Sequence, residues 1–306
     1  MSRTRLSTYT APPAEVARAL DALRAQYEAP TAFPPEALAE AEAAATAWAQ
    51  DGPARLLADG ARDARDLQLV TIDPPGSMDL DQAVLLERLP AQTDHASAPT
   101  RDAPGPAAAY RVHYAIASLA TFVTPGGALD VELRRRGETI YAPDAATPLH
   151  PEVLSHGAAS LLEDVDRPAC LWTIDLDARG EVLSARVERA LVRSRARLTY
   201  DQVQAAIDEA GSLPPSAPAD LPGLLSEIGR LSLEREAARG GISMTTPEQV
   251  IEVTAVTEVA EPPEAVATQT AAAADSEGPT PPAGYRLAYR VPVPAEQYNA
   301  QISLLT

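Results

Sequence analysis

The stretch TIDPPGSMDLDQ, residues 71 to 82, sets Asp73, Asp79 and Asp81 within nine positions, directly after an apolar run. Carboxylates crowded in this way disfavour one another's ionisation, and a hard divalent cation such as magnesium removes that cost by taking oxygen ligands. If residues 79–81 are extended, the two-residue period puts Asp79 and Asp81 on one face, and the Pro-Pro-Gly bend folds Asp73 back toward them. Magnesium keeps several waters and commonly bridges to substrate phosphate, so three converging carboxylates suit phosphodiester cleavage. On spacing alone, a calcium-like structural site and a plain solvated turn stay open beside metal catalysis.

The segments around the aspartates must position them. DLQLVTID leads into the stretch and AVLLERL leaves it, both with strand texture; YRVHYAIA alternates Val112, Tyr114 and Ile116 against Arg111, His113 and Ala115. LWTIDLDARGEVLSARVERAL predicts a hairpin turning at Asp177 to Gly180, and Thr199 and Gln202 stand at capping-box spacing before a helix. A longer helix places Leu224, Ile228, Leu231 and Arg235 three or four apart and stops at Gly240-Gly241. Strands QVIEVTAVTE and YRLAYRV follow, and PAEQYNAQISLLT opens a last helix.

Residues 1–65 read as a short helical N-terminal region. Thr10 is the expected N-cap before Pro12 and Pro13; Val16, Leu20, Leu23 and Tyr27 recur at helical spacing, as do Leu38, Ala41, Ala45 and Trp48. Residues 66–306 then form the main domain, with low-complexity insertions at 91–109 and 259–284, the latter expected to be disordered. The fold class is α+β, a mixed sheet with surrounding helices.

With 306 residues and 45% hydrophobic content the chain can bury a sizeable core. There is no apolar run of membrane-spanning length and no apolar centre of a secretory signal near the N-terminus, so a cytoplasmic protein is expected. Cys170 is the only cysteine, which excludes an intrachain disulfide and a multi-cysteine zinc site. A net charge of -18 argues against nonspecific nucleic-acid binding through a broad basic face. Two dense basic clusters stand out, Arg134 to Arg136 and Arg193 to Arg197, and read by composition as solvated faces. No nucleophile elbow, phosphate-binding loop or HExxH is present, and the four histidines lack metal-ligand spacing.

TIDPPGSMDLDQAV resembles the signature of the ribonuclease II/ribonuclease R (RNB) family: an Asp, five residues, an Asp, one residue, then a pair of Asp. The resemblance continues collinearly through FVTPGGALDVELRRRGETIYAPDAATPLHPEVLSHGAASLLEDVDRPACLWTIDLDARGEV and RLTYDQV. It implies the RNB-type fold and a magnesium-dependent, hydrolytic 3′-to-5′ exoribonuclease that releases nucleoside monophosphates from single-stranded RNA, with no DNA substrate and no membrane partner. It puts Asp81 at the centre of the chemistry, with Asp73, Asp79 and Gln82 as metal ligands. Tyr141 and Tyr200 fall on positions that contact bases near the RNA end, a role suited to sequence-tolerant stacking. Arg134, Arg195 and Arg197 become candidates for lining the RNA path.

The chain departs from the family pattern at four places. Gln82 stands where the fourth aspartate is expected, Ala117-Ser118-Leu119 replaces Ala-Asp-Val, and Tyr298-Asn299 stands where some members carry adjacent glutamates. The sequence is also expected to stop inside the RNB domain, before its arginine-bearing segment, without flanking cold-shock or S1-type domains. A catalytically impaired RNA-binding relative is therefore the alternative to an active nuclease, and a structural metal-binding domain without an RNA role is the third reading.

Overall fold

The computed structural model describes residues 5–6, 14–90, 107–142, 144–242, 247–254 and 284–306. The expected insertions lie outside these, apart from residues 107–109 and Gly284, and so does the N-cap expected at Thr10. In chain order the elements are β1 (Arg5–Leu6), α1 (Ala14–Gln26), α2 (Pro35–Ala58), β2 (Arg62–Asp63), β3 (Leu69–Asp73), β4 (Gln82–Arg88), β5 (Tyr110–Ala117) and α3 (Ala128–Arg136). There follow β6 (Ile140–Tyr141), β7 (Ala146–Thr147), β8 (Asp166–Leu176), β9 (Val182–Thr199), α4 (Tyr200–Ile207), α5 (Leu221–Ala238), β10 (Glu248–Thr254), β11 (Gly284–Arg290) and α6 (Pro294–Ser303).

Two compact units form. The smaller takes Met1–Ala32, Glu138–Pro148 and Thr246–Val291; the larger takes Phe33–Gly137, Leu149–Thr245 and Pro292–Thr306. In the smaller, β10 pairs antiparallel with β11 and parallel with β1, β6 pairs with β7, and Arg24 of α1 is ion-paired with Asp144. The helical N-terminal region is thus divided, with α1 in one unit and α2 in the other. Helical spacing in α1 marks helicity without burial: Val16, Leu23 and Tyr27 are exposed, since burial needs a facing apolar surface as well as a stripe.

The larger unit is built on β9, whose 18 residues serve two partners. Its first part, from Val182 to Arg193, pairs antiparallel with β8, and its end, from Ser194 to Thr199, runs parallel to β3. With the β3–β4, β4–β5 and β5–β8 pairings this closes a ring of five strands, and β2 lies along β9 outside it. Both faces of the ring are buried, which explains the near-continuous apolar runs of β3 and β4. One face, covered by α4, α5 and α6, carries Val70, Ile72, Val84, Leu86, Val112, Tyr114 and Ile174. Because a closed ring admits helices only outside, the opposite face is the interior, and it is filled by small residues such as Ala83, Ala115, Ala169 and Ala190 with Leu69 and Leu171. The alternation read in β5 is therefore between two buried faces: His113 and Ala115 are as enclosed as Val112 and Tyr114.

Local signals account for the connections. The β8–β9 hairpin turns where expected: Asp177 Oδ1 accepts from the backbone N–H groups of Arg179 and Glu181, both at 2.8 Å, and Gly180 takes φ +74°, which a side chain would resist. On another side of the unit α2 buries Ala37, Ala41, Trp48 and Leu56 against Phe122, Leu129 and Leu154, with the Trp48 and Phe122 rings edge-on at 5.7 Å. No helix among the described residues is long and apolar enough to cross a membrane.

Candidate functional site

β3 ends at Asp73, and the chain turns through Pro74 to Ser77, whose N–H donates to the Pro74 carbonyl at 3.2 Å. Gly76 supplies the φ of +83° the turn needs. The return segment is not a regular strand; it is anchored by Ser160, whose hydroxyl donates to the Met78 carbonyl at 2.7 Å and accepts from the Leu80 N–H at 3.2 Å. Leu80 is fully buried between two exposed aspartates, Asp79 and Asp81. Burial of the residue between them keeps both carboxylates turned outward.

Register brings the other groups to this point. Asp73 lies opposite Thr199, so Tyr200, the first residue of α4, follows directly beside it. The helix start is held by a capping box: the Gln202 N–H donates to Thr199 Oγ1 at 3.2 Å, and the Thr199 N–H to Gln202 Oε1 at 2.8 Å. Gln82 opens β4, and Tyr114, opposite Val84 on β5, stands diagonally across from it on the same face. α6 closes the top. Its Ala295 N–H donates to Gln204 Oε1 at 2.9 Å, and Gly229 of α5 makes the approach possible, because a Cβ there would sit 2.5 Å from the Tyr298 Cβ.

A cleft of about 30 Å³ results, lined by Asp73, Gln82, Tyr114, Tyr200 and Asn299 over a floor of Val70, Ile72 and Val84. The Tyr114 hydroxyl donates to Gln82 Oε1, and Asn299 Nδ2 donates to the Tyr200 hydroxyl at 3.4 Å. Both phenols are pushed up to about 12. Burial is the main cause in each; Asp81 and Asp73 add to it at Tyr114, and Asp73, Glu296 and Asp81 at Tyr200, against opposing hydrogen bonds from Ser303 and Asn299 respectively. The two tyrosines are neutral at pH 7, and both feel the two carboxylates.

The sequence-predicted residues are therefore distributed unequally. Asp73 and Asp81 act together on the tyrosine pair, and Gln82 and Tyr200 line the cleft. Asp79 is exposed, and among the described residues no three His, Cys, Asp or Glu side chains are grouped to hold a metal ion. Tyr141 is half-buried on β6 in the smaller unit. Arg197, opposite Thr71 on β3, directs Nη1 to Met78 Sδ at 3.7 Å, next to the aspartate loop. Arg195 instead donates to the Arg65 carbonyl, and Arg134 is exposed and paired with Asp130 at 3.0 Å. The rest of the triple-arginine cluster is also paired within its helix, Arg135 and Arg136 sharing Glu132, each at 2.9 Å. Ser118 donates its N–H to the Pro168 carbonyl at 2.9 Å and accepts from Thr121 Oγ1.

Sequence reasoning missed Tyr114 and Asn299 as site residues. Tyr114 carried a usable signal, since it is a polar-tipped side chain three places from the strand end on the face that Gln82 shares. Asn299 was marked only as a departure from the family pattern, because its place at the cleft depends on the docking of α6.

The RNB domain family matches residues 61–276. Ribonuclease R of Acidithiobacillus ferrooxidans is 36% identical over 179 residues, which take in 58% of this chain and 36% of that protein. The human exosome complex exonuclease RRP44 is 32% identical over 188 residues, 61% of this chain and 18% of the relative. The chain thus spans about a third or less of the length of these curated relatives. Among solved structures, Mycoplasma genitalium RNase R in complex with double-stranded RNA aligns with a TM-score of 0.64 at 20% identity, covering 84% of this chain and 38% of that one. The Dss1 exoribonuclease active-site mutant from Candida glabrata aligns at 0.59 and 15% identity, covering 80% and 28%. These two likenesses concern the fold. With the family match extending over most of the chain and onto the aspartate loop, the chain belongs to the RNB domain family.

Proposed function

We propose that this chain carries the metal-binding face of a hydrolytic exoribonuclease that shortens single-stranded RNA from the 3′ end and releases nucleoside monophosphates. The observation that carries the reading is Asp73 lining a cleft with two buried, neutral phenols, both of which feel Asp73 and the neighbouring exposed Asp81. A pair of carboxylates is a sufficient donor set for magnesium, which is held through one or two carboxylates, waters and substrate phosphate. The residues present fit such an ion, with Asp73 and Asp81 as its protein ligands and Asp79 on the exposed rim. When bound, magnesium supplies a water of lowered pKa and charge stabilisation at the leaving oxygen.

The chain's own groups do the rest. Tyr200, at the helix start fixed by the capping box and in contact with Asn299, stacks on the 3′-terminal nucleotide. Arg197, which has no carboxylate partner among the described residues, neutralises a backbone phosphate at the loop. The named relatives are ribonucleases, and Mycoplasma genitalium RNase R has been solved with both double-stranded and ribose-methylated single-stranded RNA.

The test is a denaturing-gel time course on 5′-labelled single-stranded RNA with magnesium or EDTA, alongside Asp81→Asn. Progressive 3′ shortening that needs magnesium and disappears in the variant supports the reading. Intact RNA with a folded chain overturns catalysis. A gel shift that Tyr200→Ala weakens then favours the second reading, an RNA-binding relative without turnover, for which the uncharged Gln82 in the cleft speaks.

A further inference from the structure

Gln82 brings a neutral amide to a position where the family resemblance expects a carboxylate, and its carbonyl oxygen is the one atom it could offer a hard cation. That oxygen is already engaged. The Tyr114 hydroxyl donates to it from the neighbouring strand, and Tyr114 is 1% exposed. Tyr114 is fixed in turn: its strand is paired on both sides, to β4 and to β8, and its ring belongs to the outer core that α4, α5 and α6 cover.

The sign of this contact is unusual. Groups behind a metal ligand ordinarily accept a proton from it and raise its basicity, which strengthens metal binding. Here the hydroxyl donates to the prospective ligand atom itself, occupies one of its lone pairs and draws density from it. The cleft beside the amide is small, about 30 Å³.

We infer that Tyr114 is a positioning residue that withholds the Gln82 carbonyl from the metal, so that the site works with a single divalent ion on Asp73 and Asp81. The pair Gln82–Tyr114 then serves as an uncharged bracket between β4 and β5 in place of a further ligand. This rests on the aspartates being a metal site, and the experiment separates the two claims.

Manganese alone is titrated into the full chain, with free ion followed by electron paramagnetic resonance. One ion per chain is expected, lost in Asp81→Asn. Tyr114→Phe removes only the hydroxyl and frees the amide oxygen, so binding tightens about fivefold; Gln82→Ala shifts affinity by less than about twofold, and Tyr114→Phe combined with Gln82→Ala shows no tightening. A merely structural tyrosine predicts weaker binding, whatever stands at position 82. The inference is overturned if Tyr114→Phe weakens binding or leaves it alone, if tightening persists without Gln82, or if Gln82→Ala by itself costs about tenfold. That last arm decides the matter even if Tyr114→Phe does not fold. No manganese binding, or binding that survives Asp81→Asn, removes the metal reading and the inference with it.

Discussion

The Arg136 guanidinium lies 3.6 Å from the centroid of the Phe33 ring while its Nε donates to Glu132 at 2.9 Å. Both charged side chains are nearly inaccessible, at 2% and 6%. The arginine cluster that composition assigns to solvent and resemblance to RNA thus holds a structural ion pair at its third member. A cation stacked on an aromatic face and paired at Nε is a preorganised arrangement that lysine cannot reproduce.

Arg136→Ala leaves Glu132 with one exposed partner, Arg135, and should cost about 3 kcal/mol of unfolding free energy. Arg134→Ala, at an exposed i,i+4 pair, should stay within about 0.5 kcal/mol. Urea denaturation of the two variants checks the contrast; equal effects would remove the structural role assigned to Arg136.

Asp81 and Asp79 should separate in kinetics. Asp81→Asn is expected to lower magnesium-dependent hydrolysis by about a hundredfold or more, and Asp79→Asn, on the exposed rim, by about tenfold less than that. Single-turnover rates on a short labelled RNA measure both. The opposite ranking would shift the metal toward the outer aspartate.

Replacing Tyr200 by alanine should weaken single-stranded RNA binding about tenfold, the worth of one stacked base, while Tyr200→Phe keeps the stack and loses only the hydroxyl's contact with Asn299. Fluorescence anisotropy in EDTA reads binding without turnover. Thr199→Ala, which removes the cap of the same helix, should cost about 1 kcal/mol of stability.

His113 gives stability a dependence on acidity. Its Nε2–H donates to Glu87 Oε2 at 2.9 Å, and Nδ1 accepts from the Thr173 hydroxyl at 3.3 Å. Burial holds it below its ordinary value of about 6.5 despite the Glu87 carboxylate. The unfolded chain therefore takes up a proton as the pH falls through about 6.5 while the folded chain does not, so stability drops on acidification and is recovered on return to neutral. Chemical denaturation at pH 7.5 and 5.5 should show a shallower loss in His113→Gln, though not its abolition, because burial also lowers His150.

Much of the frame was legible in single residues. Asp177 and Gly180 announced the hairpin, Thr199 and Gln202 the start of α4, and Gly240 the end of α5, because each works through backbone groups within a few positions. The aspartate loop was found by spacing, but its outcome was not: Ser160, some eighty residues away, fixes the Leu80 N–H and with it the direction of Asp79. Ring closure was equally hidden, since nothing in VRSRARLT distinguishes a strand that changes partners at Ser194 from one that ends there. Long-range pairing decides these points, and local pattern does not encode it.

The placement of α6 bears on the order of synthesis. Asp73 and Gln82 leave the ribosome well before Thr199, the β9 partner of Asp73, which follows only after more than a hundred further residues; Asn299 and Ser303 come later still. A nascent chain therefore carries its aspartates well before the helix that roofs the tyrosine pair has emerged. Until then the polypeptide holds the reactive side chains unassembled, close to the ribosome's own RNA, and the cleft takes form only once Pro294 to Ser303 have docked beside Gly229.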